Sequence, residues 1–215
     1  LEYTPNSKEK WSVRTQVKRT NNTIDNSLNS IVNATSNLIT TDKSLKATYI
    51  NQNIEWHKRQ NDAHTFSSVF SYVLDKNNQN AFWETENPIL QGLIPTDNKQ
   101  DLLRILQDKN TQEQNIDFVF KHFWEINNSN HIYTTGGNKF LNEDFSTDDS
   151  QKLDNGTINN FFNGGFGNNL NFKLNDLFAG MHYKFRTGIF TLKQGAFLHN
   201  YNWQLNQQTQ TTKNK

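Results

Sequence analysis

The sequence predicts an all-β fold, an antiparallel up-and-down meander forming an arc of a large transmembrane β-barrel, with about seven or eight strands in this chain. Three observations predict it. Apolar and polar residues alternate with period 2 over several stretches. The connections between those stretches run long, short, long, short, long, short. Aromatic rings gather near the short connections.

Seven strands are expected. Trp11, Val13, Thr15 and Val17 alternate with Ser12, Arg14, Gln16 and Lys18. Thr48, Ile50, Ile54 and Trp56 form the second apolar face, and Phe66, Phe70, Tyr72 and Leu74 the third. Ile116, Phe118, Phe120, Trp124 and Ile126 form the fourth. A weaker strand covers His131–Leu141. Leu177, Ala179, Met181, Tyr183 and Phe185 follow, and Phe190–Leu205 is aromatic on both faces. Over Lys99–Lys109, Leu102, Leu103, Ile105 and Leu106 fit either a short amphipathic helix or the upper end of the strand that reaches Ile126.

The short connections are Gln60–Ala63, Asn127–Asn130 and Thr187–Ile189. The long ones are Thr20–Leu45, Asp75–Asn115 and the acidic, Gly-rich Asn142–Asn169. In a meander, alternate connections lie at the same end, so the short turns share one end and the long loops the other. Transmembrane barrels sort their connections this way. Strands of ~9–11 tilted residues span the hydrocarbon, and several here run past it.

Ring placement gives a second test. Trp56 and Phe66 flank the first short turn, Phe123, Trp124 and Tyr133 the second, and Tyr183, Phe185 and Phe190 the third. Such rings form a membrane-interface girdle, where one side is apolar and the other wet. The opposing faces carry Arg14, Lys18, Glu55, Lys121, Glu125, Lys184 and Arg186, which suit a polar lumen. One solvated face of an open sheet would carry them equally.

Composition narrows the classes. The 215 residues include 22 basic and 21 acidic side chains for a net charge of +1. Near-zero net charge argues against a nucleic-acid partner held by a basic face. No apolar run approaches the ~20 residues of a membrane helix. The absence of Cys excludes zinc ribbons, thiol nucleophiles and disulfide scaffolds. Mean hydropathy is −0.88, yet 13% of residues are aromatic, too many for a solvated coil. The 34 Asn residues suit turns. The first residues lack the pattern of a signal peptide, and a fragment of a longer chain is expected.

The stretch from Asn169 through Leu-Asn-Phe-Lys-Leu-Asn-Asp-Leu-Phe-Ala-Gly-Met-His-Tyr-Lys-Phe-Arg-Thr-Gly-Ile-Phe-Thr-Leu-Lys-Gln-Gly-Ala-Phe-Leu-His-Asn to Tyr201 resembles a hairpin of the Bacteroidetes outer-membrane β-barrel proteins related to TonB-dependent receptors. Trp56–Leu74 is similar in style. The resemblance implies a barrel of about twenty-two strands in the bacterial outer membrane, importing a bulky solute past an N-terminal plug. No plug, energy-coupling box or aromatic C-terminal strand is present in this stretch. The implied partners are the lipid bilayer and a surface lipoprotein or other outer-membrane complex subunits.

Little points to an enzyme, and no cofactor is expected. There is no Gly-x-Ser-x-Gly elbow and no His-Glu-x-x-His, and Gly164–Gly167 lacks the Lys and helix of a phosphate loop. His57 and His64 flank one turn and could approach across it, without a third ligand for a metal. Glu143, Asp144, Asp148, Asp149 and Asp154 lack EF-hand spacing. Phe161, Phe162 and Phe166, on the last long loop, are candidate extracellular contacts for a partner or glycan, or else pack the loop against its neighbours. The other classes weighed are a plugless barrel serving as scaffold in an assembly or secretion complex, and a secreted soluble β adhesin or glycan-binding module.

Overall fold

A computed structural model describes residues 1–32, 35–86, 94–97, 101–161, 167–208 and 210–214. Ten strands form one antiparallel sheet: β1 (Glu2–Asn6), β2 (Glu9–Val32), β3 (Thr35–Arg59), β4 (His64–Thr85), β5 (Leu103–Asn127), β6 (Asn130–Lys152), β7 (Ile158–Asn160), β8 (Asn168–Thr187), β9 (Phe190–Gln207) and β10 (Gln210–Lys213). Neighbours in the sheet follow chain order, with β7 set aside on the far end of β6. The all-β meander is therefore as expected, and no helix occurs among the described residues. Leu103–Lys109 is strand, which resolves the two readings of that segment.

Seven strands are long, with 18 to 25 residues each. Their length corrects the expected loops. Thr20–Leu45 is not a loop: β2 and β3 stay paired from Thr20↔Ala47 to Val32↔Thr35. β4 continues to Thr85, and β6 to Lys152. These outer halves are mostly polar, with apolar residues too scattered to alternate. The ladder persists because each backbone N–H and C=O still needs a partner.

The tight turns at residues 7–8, 60–63, 128–129 and 188–189 all lie at one end. Asn side chains close the first three. Asn6 Oδ1 accepts from the Lys8 amide at 2.9 Å, Asn61 Oδ1 from the Ala63 and His64 amides at 3.0 and 2.8 Å, and Asn127 Oδ1 from the Ser129 amide at 3.0 Å. Gly188 closes the fourth with φ of +56°, which Gly adopts without steric cost.

Each hairpin overreaches the turn before it, always in the same direction. Arg59 N–H donates to the Lys8 carbonyl, Glu125 N–H to Ala63, and Arg186 N–H to Ser129, at 2.7, 2.8 and 2.8 Å. A progressive stagger of this kind is the register shear that tilted barrel strands carry.

The sheet is a single layer and is not closed. Among the described residues, no strand covers the outer side of β2 from Arg14 onward, or of β9 from Phe190 to Asn202. The chain exposes 14483 Å², whereas a compact 25.1 kDa monomer exposes about 10,000 Å². Buried hydrophobic residues are few: Ala81, Leu103, Ile105, Phe161 and Phe178. Three of them, Leu103, Ile105 and Phe161, form a small cluster with Trp83 and Ile94 at the end away from the tight turns.

Candidate functional site

Directly opposed residues of an antiparallel ladder project to the same side. The register therefore assigns every long-strand residue to one of two faces. One row runs Trp11, Trp56, Ser68, Phe120, Gly136, Ala179, Leu198. On the face this row defines, a band across the turn-side part of the sheet carries no Asp, Glu, Lys or Arg; Glu9 and Lys58 share the face but lie between the band and the turns. The uncharged band comprises alternate residues of 11–17, 50–56, 66–74, 116–126, 132–140, 177–185 and 190–198. Its polar groups pair with one another, as Thr15 Oγ1 does with Gln52 Oε1 at 2.6 Å. Many of its side chains are exposed, including Phe118, Leu177, Met181, Phe190 and Leu198.

The opposite face is polar. Arg14, Lys18, Glu55, Lys121, Glu125, Lys184 and Arg186 all project to it. So do five buried side-chain polar atoms that lack a partner among the described residues, on Asn53, Trp83, Asp117, His131 and Asn168. Gly137, Gly180 and Gly195 also sit here, each opposed to a ring (Phe178, Phe197, His182) that lies where its Cβ would be. Rings folded over cross-strand glycines pin register in curved sheets.

Of the expected girdle residues, Trp56, Phe66, Trp124, Tyr183, Phe185 and Phe190 share the uncharged face. Phe123 and Tyr133 do not. They project to the polar face, tilted against each other with ring centroids 4.7 Å apart. Phe123 is next to Trp124 in one strand and so points the other way. Tyr133 pairs with Phe123 because a bulge between Glu125 and Asn127 shifts the register by one residue beside the turn. A one-residue shift exchanges faces. Trp11 and Phe120 belong with the six, and the alternation of their strands already marked them.

The polar tips of three band rings point toward the tight-turn end. The Trp11 and Trp56 indoles both donate to Glu9 Oε1, at 3.2 and 3.0 Å, with Lys58 Nζ 3.6 Å from the other carboxylate oxygen. Tyr183 donates to Asn130 beside its turn. Glu9 lies on the turn side of the band. The Trp56 indole, then Trp11 and Lys58, hold its carboxyl below the usual range against the opposing cost of burial.

His57 and His64 are not brought together: His57 projects to the polar face and His64 to the uncharged one. His64 instead meets His122, Nδ1 to Nε2 at 3.0 Å, between Trp124 and Phe66. The acidic run divides by parity, with Glu143 and Asp149 on one face of β6 and Asp144 and Asp148 on the other. Among the described residues, no group of three or more His, Asp or Glu could hold a metal ion.

Phe161 is not an exposed loop contact. It is 2% exposed and packs on Leu103 and Ile105. The neighbouring Gln151 is fully buried, exchanging hydrogen bonds with the Asp97 backbone at 2.7 and 2.9 Å. Phe162 and Phe166 lie outside the described residues. No helix among those residues is long and apolar enough to cross a membrane, which says nothing about strands.

No protein-family model matches the chain, and no curated protein sequence matches it.

Proposed function

We propose that this chain is wall material of a bacterial outer-membrane β-barrel, an arc of a larger closed sheet in a transporter for a bulky solute, related to TonB-dependent receptors. The observation that carries the reading is the uncharged band. Within that band, the seven long strands keep one face free of Asp, Glu, Lys and Arg while the other face holds charges of both signs. A soluble sheet must bury its apolar face against a second layer, and none covers this one among the described residues. Acyl chains can cover it.

The dimensions agree. Nine residues, as in Phe66–Leu74, rise about 27 Å along the strand. A tilt of ~40° leaves about 21 Å of height, near the ~25 Å apolar band of such barrels. The uniform stagger of the turns supplies strand tilt. In hydrocarbon the bare edges of β2 and β9 need further strands, because unpaired backbone is too costly there. The polar face then lines the lumen, where water reaches its partnerless polar atoms. The outer strand ends and loops stand at the cell surface, available to a surface lipoprotein or other complex subunits.

The test is extraction and gel mobility. The protein should leave the membrane only with detergent and should migrate differently before and after boiling. A protein that stays folded and monomeric in plain buffer ends the proposal. Transport itself is tested by uptake of labelled solutes in cells lacking the protein.

A further inference from the structure

On the uncharged face, going outward from the band, the first charged residues on β2, β3 and β4 are all cations: Arg19, Lys46 and Lys76. Arg19 and Lys76 flank Thr48 in a single register row, two strand spacings or about 10 Å apart. Lys46 stands on the strand between them, two residues and about 7 Å further out. It is flanked by Asn21 and Asn78. All three cations are exposed, and none forms an ion pair with another described residue. The two rows hold no carboxylate from β2 to β5; their other members there are Thr48, Gln112, Asn21, Asn78 and Asn110. A depression of about 400 Å³ adjoins Lys76, lined by Asn78, Asn110, Gln112 and Asp144 among others. Asp144 is already engaged by the Asn142 and Asn171 amides at 3.0 and 2.6 Å. Lys173 on β8 repeats the pattern, as the first charge outward on its strand.

We infer that Arg19, Lys46 and Lys76 form a binding site for the phosphate groups of an anionic glycolipid in the leaflet on the outer-strand side. The inference rests on the wall reading, since it is the band that sets the height of the bilayer. Three like charges within one short span repel unless an anion joins them, and the headgroup phosphates lie directly above the hydrocarbon. Threonine hydroxyl and Asn and Gln amides beside the cations supply donors for phosphoryl and sugar oxygens.

The test uses the purified protein in phosphatidylcholine nanodiscs containing bisphosphorylated lipid A or its dephosphorylated form, with retained lipid counted by native mass spectrometry. The phosphorylated form should be retained preferentially. The combined Arg19→Gln, Lys46→Gln and Lys76→Gln variant should lose about a hundredfold in affinity. If it fails to fold, judged by gel mobility, Lys76→Gln alone should lose about fivefold. Removing the same charge on the other face, by Arg14→Gln, Lys18→Gln and Lys121→Gln, should change nothing. Equal retention by wild type and the first variant, equal loss from both charge sets, or full competition by inorganic phosphate would each overturn the site. Brominated acyl chains separate this from the parent reading. If they quench the band tryptophans, failure to retain lipid A sinks the site alone; absent quenching sinks the wall as well.

Discussion

Between Phe66 and Leu74, the uncharged face of β4 carries Phe, Ser, Phe, Tyr and Leu. From Lys76 to Glu84 the same face of the same strand carries Lys, Asn, Asn, Phe and Glu. The two halves share one ladder and one twist but hold themselves together differently. In the turn-side half, aromatic rings stack across strands, as Phe66 does on His122 with centroids 4.5 Å apart. The outer half uses polar pairing. Asn171 donates to Asn142 at 3.0 Å, and Asn206 donates to Asn171 at 3.3 Å. Arg104 forks between Glu84 at 2.8 Å and Asp154 at 2.7 Å. Only the outer half also folds a small core onto its other face. Strict two-face alternation arises where the two sides of a sheet meet different solvents; where both sides meet water, polar ladders suffice.

The largest difference between the halves is expected from a charge placed on each. Phe70→Lys, at mid-band, should cost ~2–4 kcal/mol in lipid vesicles. Asn80→Lys, on the same face of the outer half, should stay within ~0.5 kcal/mol. Guanidine unfolding in vesicles measures both, and equal costs would mean the halves do not differ in solvent.

Next in size is the polar face of the band. A Cβ at Gly137 would overlap the Phe118 carbonyl and press on the Phe178 ring. Gly137→Ala should therefore cost ~1–3 kcal/mol, read in the same unfolding assay.

The Glu9 anchor gives a pH-dependent effect. Its folded carboxyl titrates below the unfolded value of 4.5. Its contribution is thus complete above that value and is lost as pH falls through the lower folded value. Stability of wild type over Glu9→Gln should be visible at neutral pH and disappear in acid. A pH-independent difference would show that the indoles do not depend on the charge.

The smallest effect is expected at Asp149 in the outer half. Burial, with Asp148 adding to it, raises its carboxyl, while Gln107 acts the other way. A raised acid disfavours the fold increasingly as pH rises through 3.8. Asp149→Asn should slow hydrogen exchange at the outer ends of β5 and β6 at pH 7 and have no effect below pH 3.8.

The turn-side half was legible because its apolar residues recur at every second position. Ile50, Ile54 and Trp56, or Leu177 to Phe185, announce both strand and face. The outer half was not. Asn21, Asn22, Thr23, Asp25 and Asn26 carry no hydrophobic period, and only the pairing of the neighbouring strand reveals them as β2. The face of Phe123 was legible, since it neighbours Trp124 in one strand and must point the other way. That of Tyr133 was not, because the bulge between Glu125 and Asn127 decides which β5 residue it pairs with. The cation triad was invisible because Arg19, Lys46 and Lys76 meet only through register across three strands. For Phe161 the sequence left loop contact and packing both open, and only the placement of Leu103 and Ile105 beside it decides for packing.

The nearly uninterrupted ladder carries an evolutionary consequence. From Glu9↔Lys58 to Val32↔Thr35, β2 and β3 pair without a single irregularity. Inserting one residue within such a run would turn every side chain beyond it inside out, while inserting two would shift the run and leave each side chain on its own side. Length changes should therefore survive in even steps within the strands, or in any number at the outer tips. Along most of this chain, the side a residue faces depends on whether its position is odd or even, whatever amino acid occupies it.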